Sequence, residues 1–66
     1  MKNNLKVQRA IKNITQDDLA KQIGVTRQAI NSIELGKYVP STILALKIAR
    51  YFEKGVNEIF FLEDND

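Results

Sequence analysis

The sequence predicts an all-α fold of five short helices, with a minimal two-stranded sheet joining the N- and C-terminal ends. Three observations carry this prediction. Apolar residues recur three and four places apart in successive blocks, the spacing of helices that each bury one face. Helix-capping residues stand ahead of these blocks at Thr15, Thr26 and Ser41, and glycines stand behind them at Gly24, Gly36 and Gly55. Neither cysteine nor histidine occurs among the 66 residues, so neither a disulfide nor a structural zinc ion can staple so small a core.

The first helix is expected from about Asn4 to Lys12. Val7, Ala10, Ile11 and Ile14 form one stripe along it, and Leu5 with Arg9 forms a neighbouring one. Periodicity alone does not decide which stripe faces the core. Thr15-Gln16-Asp17-Asp18 opens the second helix. The threonine hydroxyl accepts a hydrogen bond from an orphan backbone N–H, and first-turn acids suit the helix dipole. Leu19, Ala20 and Ile23 give this helix its apolar face, and Gly24 supplies the left-handed residue that ends it. Thr26 caps the third helix, which turns Ala29, Ile30 and Ile33 inward and closes at Gly36.

After the loop Lys37-Tyr38-Val39-Pro40, Ser41 caps a fourth helix, from Thr42 to about Phe52. Its apolar residues run almost all round it, which marks a helix central to a core or laid against another subunit. Gly55 separates it from a short fifth helix near Val56 to Phe60. Phe60-Phe61-Leu62 is β-prone and is expected to pair with Lys2-Asn3, while the acidic tail Glu63-Asp64-Asn65-Asp66 is expected to fray. The whole is read as one domain over residues 1–66.

Several functions are excluded at this level. No apolar run approaches the ~20 residues that span a bilayer. Met1-Lys2-Asn3-Asn4 leads into no apolar signal core, so a cytoplasmic protein without membrane insertion is expected. There is no glycine-rich phosphate loop, no His or Cys, and no pair of carboxylates on one helix face, so no enzyme, metal site or cofactor is expected. Asp17 and Asp18 diverge by about 100° around a helix and read as capping charge. The charge distribution is more telling than the net charge of +2. Residues 1–37 carry seven Lys/Arg against three acids, whereas residues 38–66 carry three against five. A basic front half points to a polyanionic partner.

Two helices joined by a turn of about three residues containing glycine describe a helix-turn-helix, here over about residues 16–34. The short turn fixes the second helix across the first. Its outer face is left free to enter a major groove ~12 Å wide.

At this point the residues resemble a known family. Ile14-Thr15-Gln16-Asp17-Asp18-Leu19-Ala20, then Gly24 through Glu34, then Gly36-Lys37-Tyr38, Pro40-Ser41 and Lys47-Ile48-Ala49 are similar, in order and spacing, to the Cro/cI-type (XRE, phage-repressor-like) helix-turn-helix family. The likeness runs from about Leu5 to Phe60, and the short chain with its Asn3-Asn4-Leu5 and Ile59-Phe60 ends resembles small stand-alone bacterial repressors of that family.

The resemblance implies a five-helix lambda-repressor-like DNA-binding domain that recognises double-stranded DNA as a homodimer. It points Arg27, Gln28 and Ser32 at base edges, and Asn31 is placed among these base readers with a phosphate as its alternative contact. Their chemistry agrees, since Arg pairs bidentately with guanine and Gln with adenine. It assigns phosphate contacts to Gln16, which also braces the recognition helix, and to Thr26, Lys37 and Tyr38, and an internal ion pair to Arg9 and Glu34. The candidate dimer surface is Ile59, Phe60, Phe61 and Leu62, because so small a core gains from a second copy and adjacent phenylalanines in a strand point to opposite faces. The chain also departs from the pattern. Gln8 and Thr42 stand where the family usually has aliphatic residues, Ile43 where it is polar, and Lys54 where it is apolar. Val7 and Ile11 are candidates for outward-facing apolar residues.

The function implied is a sequence-specific transcriptional regulator, a repressor on a palindromic operator, with room for a regulatory protein partner. An antitoxin or restriction–modification controller that represses its own promoter fits the same residues. A protein–protein module that has lost DNA binding fits less well, because the third helix keeps both Arg27 and Gln28.

Overall fold

The computed structural model describes residues 1–66. In chain order the elements are strand β1 (Lys2–Asn3), helices α1 (Leu5–Lys12), α2 (Gln16–Ile23), α3 (Arg27–Glu34) and α4 (Thr42–Tyr51), a single 3-10 turn (Val56–Glu58) and strand β2 (Phe60–Phe61). β1 and β2 pair antiparallel, Lys2 opposite Phe61 and Asn3 opposite Phe60.

Local chemistry explains the boundaries. Thr15 and Asp18 form a reciprocal capping box at the start of α2: Asp18 N–H donates to Thr15 Oγ1, and Thr15 N–H to the Asp18 carboxylate, both at 3.0 Å. Thr26 Oγ1 and Ser41 Oγ each accept from a third-residue N–H at 3.1 Å, starting α3 and α4. Gly24 and Gly36 take positive φ, +88° and +74°, so the chain reverses after α2 and after α3 without a Cβ penalty. Asn13 performs the same reversal after α1.

The core settles which stripe of α1 is buried. Leu5 and Gln8 point inward, whereas Val7 and Ile11 face solvent, Ile11 with 71% of its surface exposed. Leu19, Ala20 and Ile23 of α2, Ile30 and Ile33 of α3, Leu44, Ile48 and Ala49 of α4, and Phe52, Ile59 and Phe60 complete the buried cluster around Leu5. α4 is therefore not covered on all sides: Ile43 and Leu46 lie exposed on its outer face.

Two expectations are corrected. The fifth helix is only one 3-10 turn. Asn4 N–H bonds the Ile59 carbonyl at 2.9 Å and Phe60 enters the sheet, which leaves three residues after Gly55. That is too short a run to offset the cost of nucleating an α-helix. Glu58 instead turns back to accept the Gly55 N–H at 2.6 Å. Gly55 separates this turn from α4 as expected. The left-handed residue that ends α4 is Glu53, at φ +57°, and Lys54 N–H returns to the Ala49 carbonyl at 3.0 Å. Secondly, the acidic tail is tucked in rather than frayed. Asp66 accepts the Glu63 N–H at 2.8 Å and lies 3.2 Å from the Met1 ammonium.

Candidate nucleic-acid interface

α2 and α3 are joined through Gly24, Val25 and Thr26. α3 buries Ile30 and Ile33 against α2 and the core, so its opposite arc is offered to solvent. At about 100° per residue, positions 27, 28, 31 and 32 share an arc of about 140°. Arg27, Gln28 and Asn31 are exposed along it, and Ser32 is half-buried at its edge. The apolar residues of α3 are core and not readers, which is the division its periodicity implied.

The end of α3 is fastened by the sheet. Asn3 Nδ2 donates to the Ile33 carbonyl at 2.8 Å, and Asn3 Oδ1 accepts from Leu5 N–H at 3.1 Å. Asn4 Nδ2 donates to the Glu58 carbonyl at 3.0 Å. Sequence reading placed Asn3-Asn4 at the start of the chain without seeing this task. The signal was two short amides directly before a helix, a residue type that bonds the backbone locally and across turns.

Arg9 and Glu34 form an ion pair between α1 and α3. Arg9 Nε bonds Glu34 Oε2, Nη2 reaches Oε1 at 3.0 Å, and Nη1 reaches the Ile14 carbonyl at 3.1 Å. The hydrogen bond to Glu34 pushes the Arg9 guanidinium above its usual range. Gln16, at the first position of α2, sits beside this pair. Its Nε2 donates to Glu34 Oε1 at 3.1 Å and to Asn31 Oδ1 at 3.0 Å. Both side-chain donors of Gln16 are thus spent inside the protein, and only its backbone N–H is left for an outside anion. Asp18, whose carboxyl is held below the usual range by the Thr15 backbone N–H, and Asp17, paired with Lys21 at 3.1 Å, put negative charge on the same helix end.

Lys37 and Tyr38 follow α3 with exposed side chains. Their backbone N–H groups both return to the Ser32 carbonyl, at 2.9 and 3.3 Å. Only the Lys37 ammonium and the Tyr38 hydroxyl remain for a ligand. Thr26 Oγ1 accepts from Ala29 N–H and keeps its own hydroxyl hydrogen. Around the C-terminus, the set Ile59 to Leu62 divides. Ile59 is fully buried and Phe60 nearly so, because the core closes on them. Ile59 is therefore not available to a partner, and Phe60 offers no more than an edge at the floor of a groove. Phe61 is 40% exposed and Leu62 81%.

A short turn, a capped recognition-type helix with polar readers outward, and a neighbouring helix braced across it define a helix-turn-helix of the DNA-binding kind. The chain belongs to the helix-turn-helix family of the Cro/cI type, whose family model matches residues 5–59. It is 54% identical over 66 residues to an uncharacterised HTH-type transcriptional regulator of Methanocaldococcus jannaschii, with both chains covered in full. It is 44% identical over 66 residues to the HTH-type transcriptional regulator YgzD of Bacillus subtilis, again with both chains covered in full. A regulator of Archaeoglobus fulgidus is also 44% identical, over all of this chain and 93% of the relative. Membership places the chain among non-enzymatic DNA-binding regulators.

Proposed function

We propose that the protein is a sequence-specific transcriptional repressor in the cytoplasm, binding a two-fold-related operator as a homodimer with one α3 helix per half-site in the major groove. The carrying observation is the division of α3: Arg27, Gln28 and Asn31 face outward while Ile30 and Ile33 are buried. Arg27 suits guanine and Gln28 suits adenine, each bidentately, and Ser32 reaches the edge of the same footprint. Phosphates are held on either side by the Lys37 and Tyr38 side chains, the Thr26 hydroxyl and the backbone N–H of Gln16. Repression is the simplest output of such a protein, since a copy seated in a promoter groove blocks other proteins by occupancy.

The second copy is read on Phe61 and Leu62, the apolar residues that the C-terminal strand leaves outside the core. One recognition helix covers few base pairs, and two copies related by a two-fold axis read half-sites ~34–36 Å apart. Selection of bound sites from random duplex DNA tests the reading. The expected product is a palindrome whose affinity falls steeply with salt, by roughly 0.9 in log–log slope per neutralised phosphate. Arg27→Ala and Gln28→Ala are expected to relax one base each per half-site, and Lys37→Ala to weaken all sequences alike. Enrichment of no sequence, or a flat salt dependence, overturns it.

A further inference from the structure

α4 carries an exposed stripe on the side away from the core. Ile43, Leu46, Lys47 and Arg50 stand at i, i+3, i+4 and i+7, within an arc of about 100° and about 10 Å of helix length. All four are exposed, Ile43 with 69% of its surface and Leu46 with 53%, and together they line one shallow groove. The first half of the stripe is aliphatic and the second half cationic. Neither Lys47 nor Arg50 has an acid within ion-pair distance. Both also border a hollow of about 250 Å³ that Gln22, Ile23 and Tyr51 complete. The Lys12 ammonium lies 4.8 Å from the centre of the Tyr51 ring, so a third cation stands beside the same hollow.

We propose that this stripe docks a different protein through an acidic amphipathic helix of about two turns, its aliphatic side chains on Ile43 and Leu46 and its carboxylates on Lys47 and Arg50. The i, i+3, i+4, i+7 spacing is that of helix-face recognition, and the unpaired cations set the sign of the partner. A DNA backbone fits worse. It offers the cations an acceptor but leaves two exposed aliphatic side chains against phosphates. A second copy of the chain fits worse too, because its acids are already engaged. Asp17 pairs with Lys21, Glu34 with Arg9, and Glu63 and Asp66 with the Met1 ammonium. Asp18 is held in the capping box and Glu58 by the Gly55 N–H. Glu53 and Asp64 remain, on separate segments and in no helix. The stripe shares no residue with the outward arc of α3, so this partner and DNA do not compete for side chains.

Titration of the isotopically labelled full chain with synthetic helical peptides tests the docking. The panel carries leucine along one face, at varied helical spacings, and glutamate at the flanking positions. Matched panels carry glutamine or lysine for glutamate. The glutamate peptides are expected to shift the amide signals of Ile43, Lys47 and Arg50, and to bind at least about tenfold more tightly than the glutamine ones. Ile43→Ser is expected to weaken them severalfold. Lys47→Glu with Arg50→Glu is expected to abolish their binding and to transfer it to the lysine peptides. Leu46 is left in place, because it also lines the neighbouring groove with Val39 and Val56. The charge-reversed variant is expected to keep its melting temperature, since neither cation is paired. Lys47→Gln with Arg50→Gln repeats the comparison without reversing charge and is expected to erase the preference for glutamate. No shift on α4 at millimolar peptide overturns the proposal, as does equal binding of the glutamate and glutamine panels. Shifts centred on Arg27, Gln28 and Lys37 overturn it too, because the acids are then imitating phosphates on α3. A charge-reversed variant that loses affinity for every DNA sequence assigns Lys47 and Arg50 to phosphates instead. One that sediments as a different oligomer from the wild type assigns the stripe to a second copy. Either result overturns the proposal.

Discussion

Arg9 fastens two elements with three donors, and its partner shows what the pair contributes. Glu34 is nearly buried, so removing the cation strands a carboxylate away from water. Arg9→Ala is expected to cost about 3 kcal/mol in urea unfolding, because an uncompensated buried charge carries the full desolvation penalty. Replacing both partners by apolar residues of similar size, Arg9→Met with Glu34→Leu, is expected to recover most of that loss. The exposed Asp17–Lys21 pair is the control: Lys21→Ala is expected to cost less than about 0.5 kcal/mol. Similar losses for Arg9→Ala and Lys21→Ala would mean that the inner pair is effectively solvated. Gln8 makes the opposite case. It is 7% exposed on the face of α1 that also buries Leu5, where an amide gains little. Gln8→Leu is expected to raise stability by about 1 kcal/mol in the same assay. Both positions stood out in the sequence, one as a matched pair and one as a departure. Residue type alone could not say that α1 buries the Leu5–Gln8 side and leaves Val7 and Ile11 outside.

At the scale of elements, capping chemistry was the most legible feature, and what it leaves unseen is a stop made without glycine. Thr15, Thr26 and Ser41 cap the helices they precede, and Gly24 and Gly36 carry the positive φ expected of them. Glu53, however, ends α4 in a left-handed conformation that a glutamate adopts at a cost. Glu53→Gly is expected to raise the melting temperature, by relief of about 1 kcal/mol. Gly55 has an ordinary φ of −69°, and a Cβ there would meet Asn57 Oδ1 at 2.8 Å, so its role is close approach and not reversal. At Gly24 a Cβ would meet nothing within 4 Å. Gly24→Ala is therefore expected to lose only the conformational term, about 1–2 kcal/mol, with no repacking.

The α2 capping box adds a dependence on pH. Asp18 is held below its usual range by the Thr15 backbone N–H, so its folded value lies under the unfolded one near about 3.9. Its stabilising contribution is complete above the unfolded value and is lost as pH falls through the folded value. Melting followed from about pH 5 downward should show a shallower acid loss in Asp18→Asn than in the wild type. An identical acid limb in the two proteins would remove Asp18 from the account.

For the whole molecule, what the sequence could not show is how the surface of the C-terminal run is divided. Alternation along a strand predicted that Phe60 and Phe61 face opposite ways, and they do. It did not predict that Ile59 is drawn fully inside, because that depends on Asn4 bonding its carbonyl from the other end of the chain. Phe61 and Leu62 remain outside. Elsewhere the exposed Val39, Leu46 and Val56 rim an apolar groove floored by Pro40 and Phe60. This much apolar surface on a protein of 66 residues gains from a self-complementary contact, since its small core leaves it marginally stable alone. The body measures 32 × 22 × 21 Å, so two copies can touch and still occupy neighbouring half-sites ~34 Å apart. Wild-type protein at micromolar concentration is expected to sediment as a dimer, and Phe61→Glu as a monomer with a lower melting temperature. Because Phe61 lies opposite Lys2 in the sheet, a glutamate there has a cation to pair with in the monomer. Loss of folding is therefore not the expected cause of dissociation. Phe61→Glu should keep its helical content while its operator affinity drops towards that of a single half-site. If wild type sediments as a monomer and Phe61→Glu binds the full operator with unchanged affinity, the two copies meet through another surface or only on the DNA.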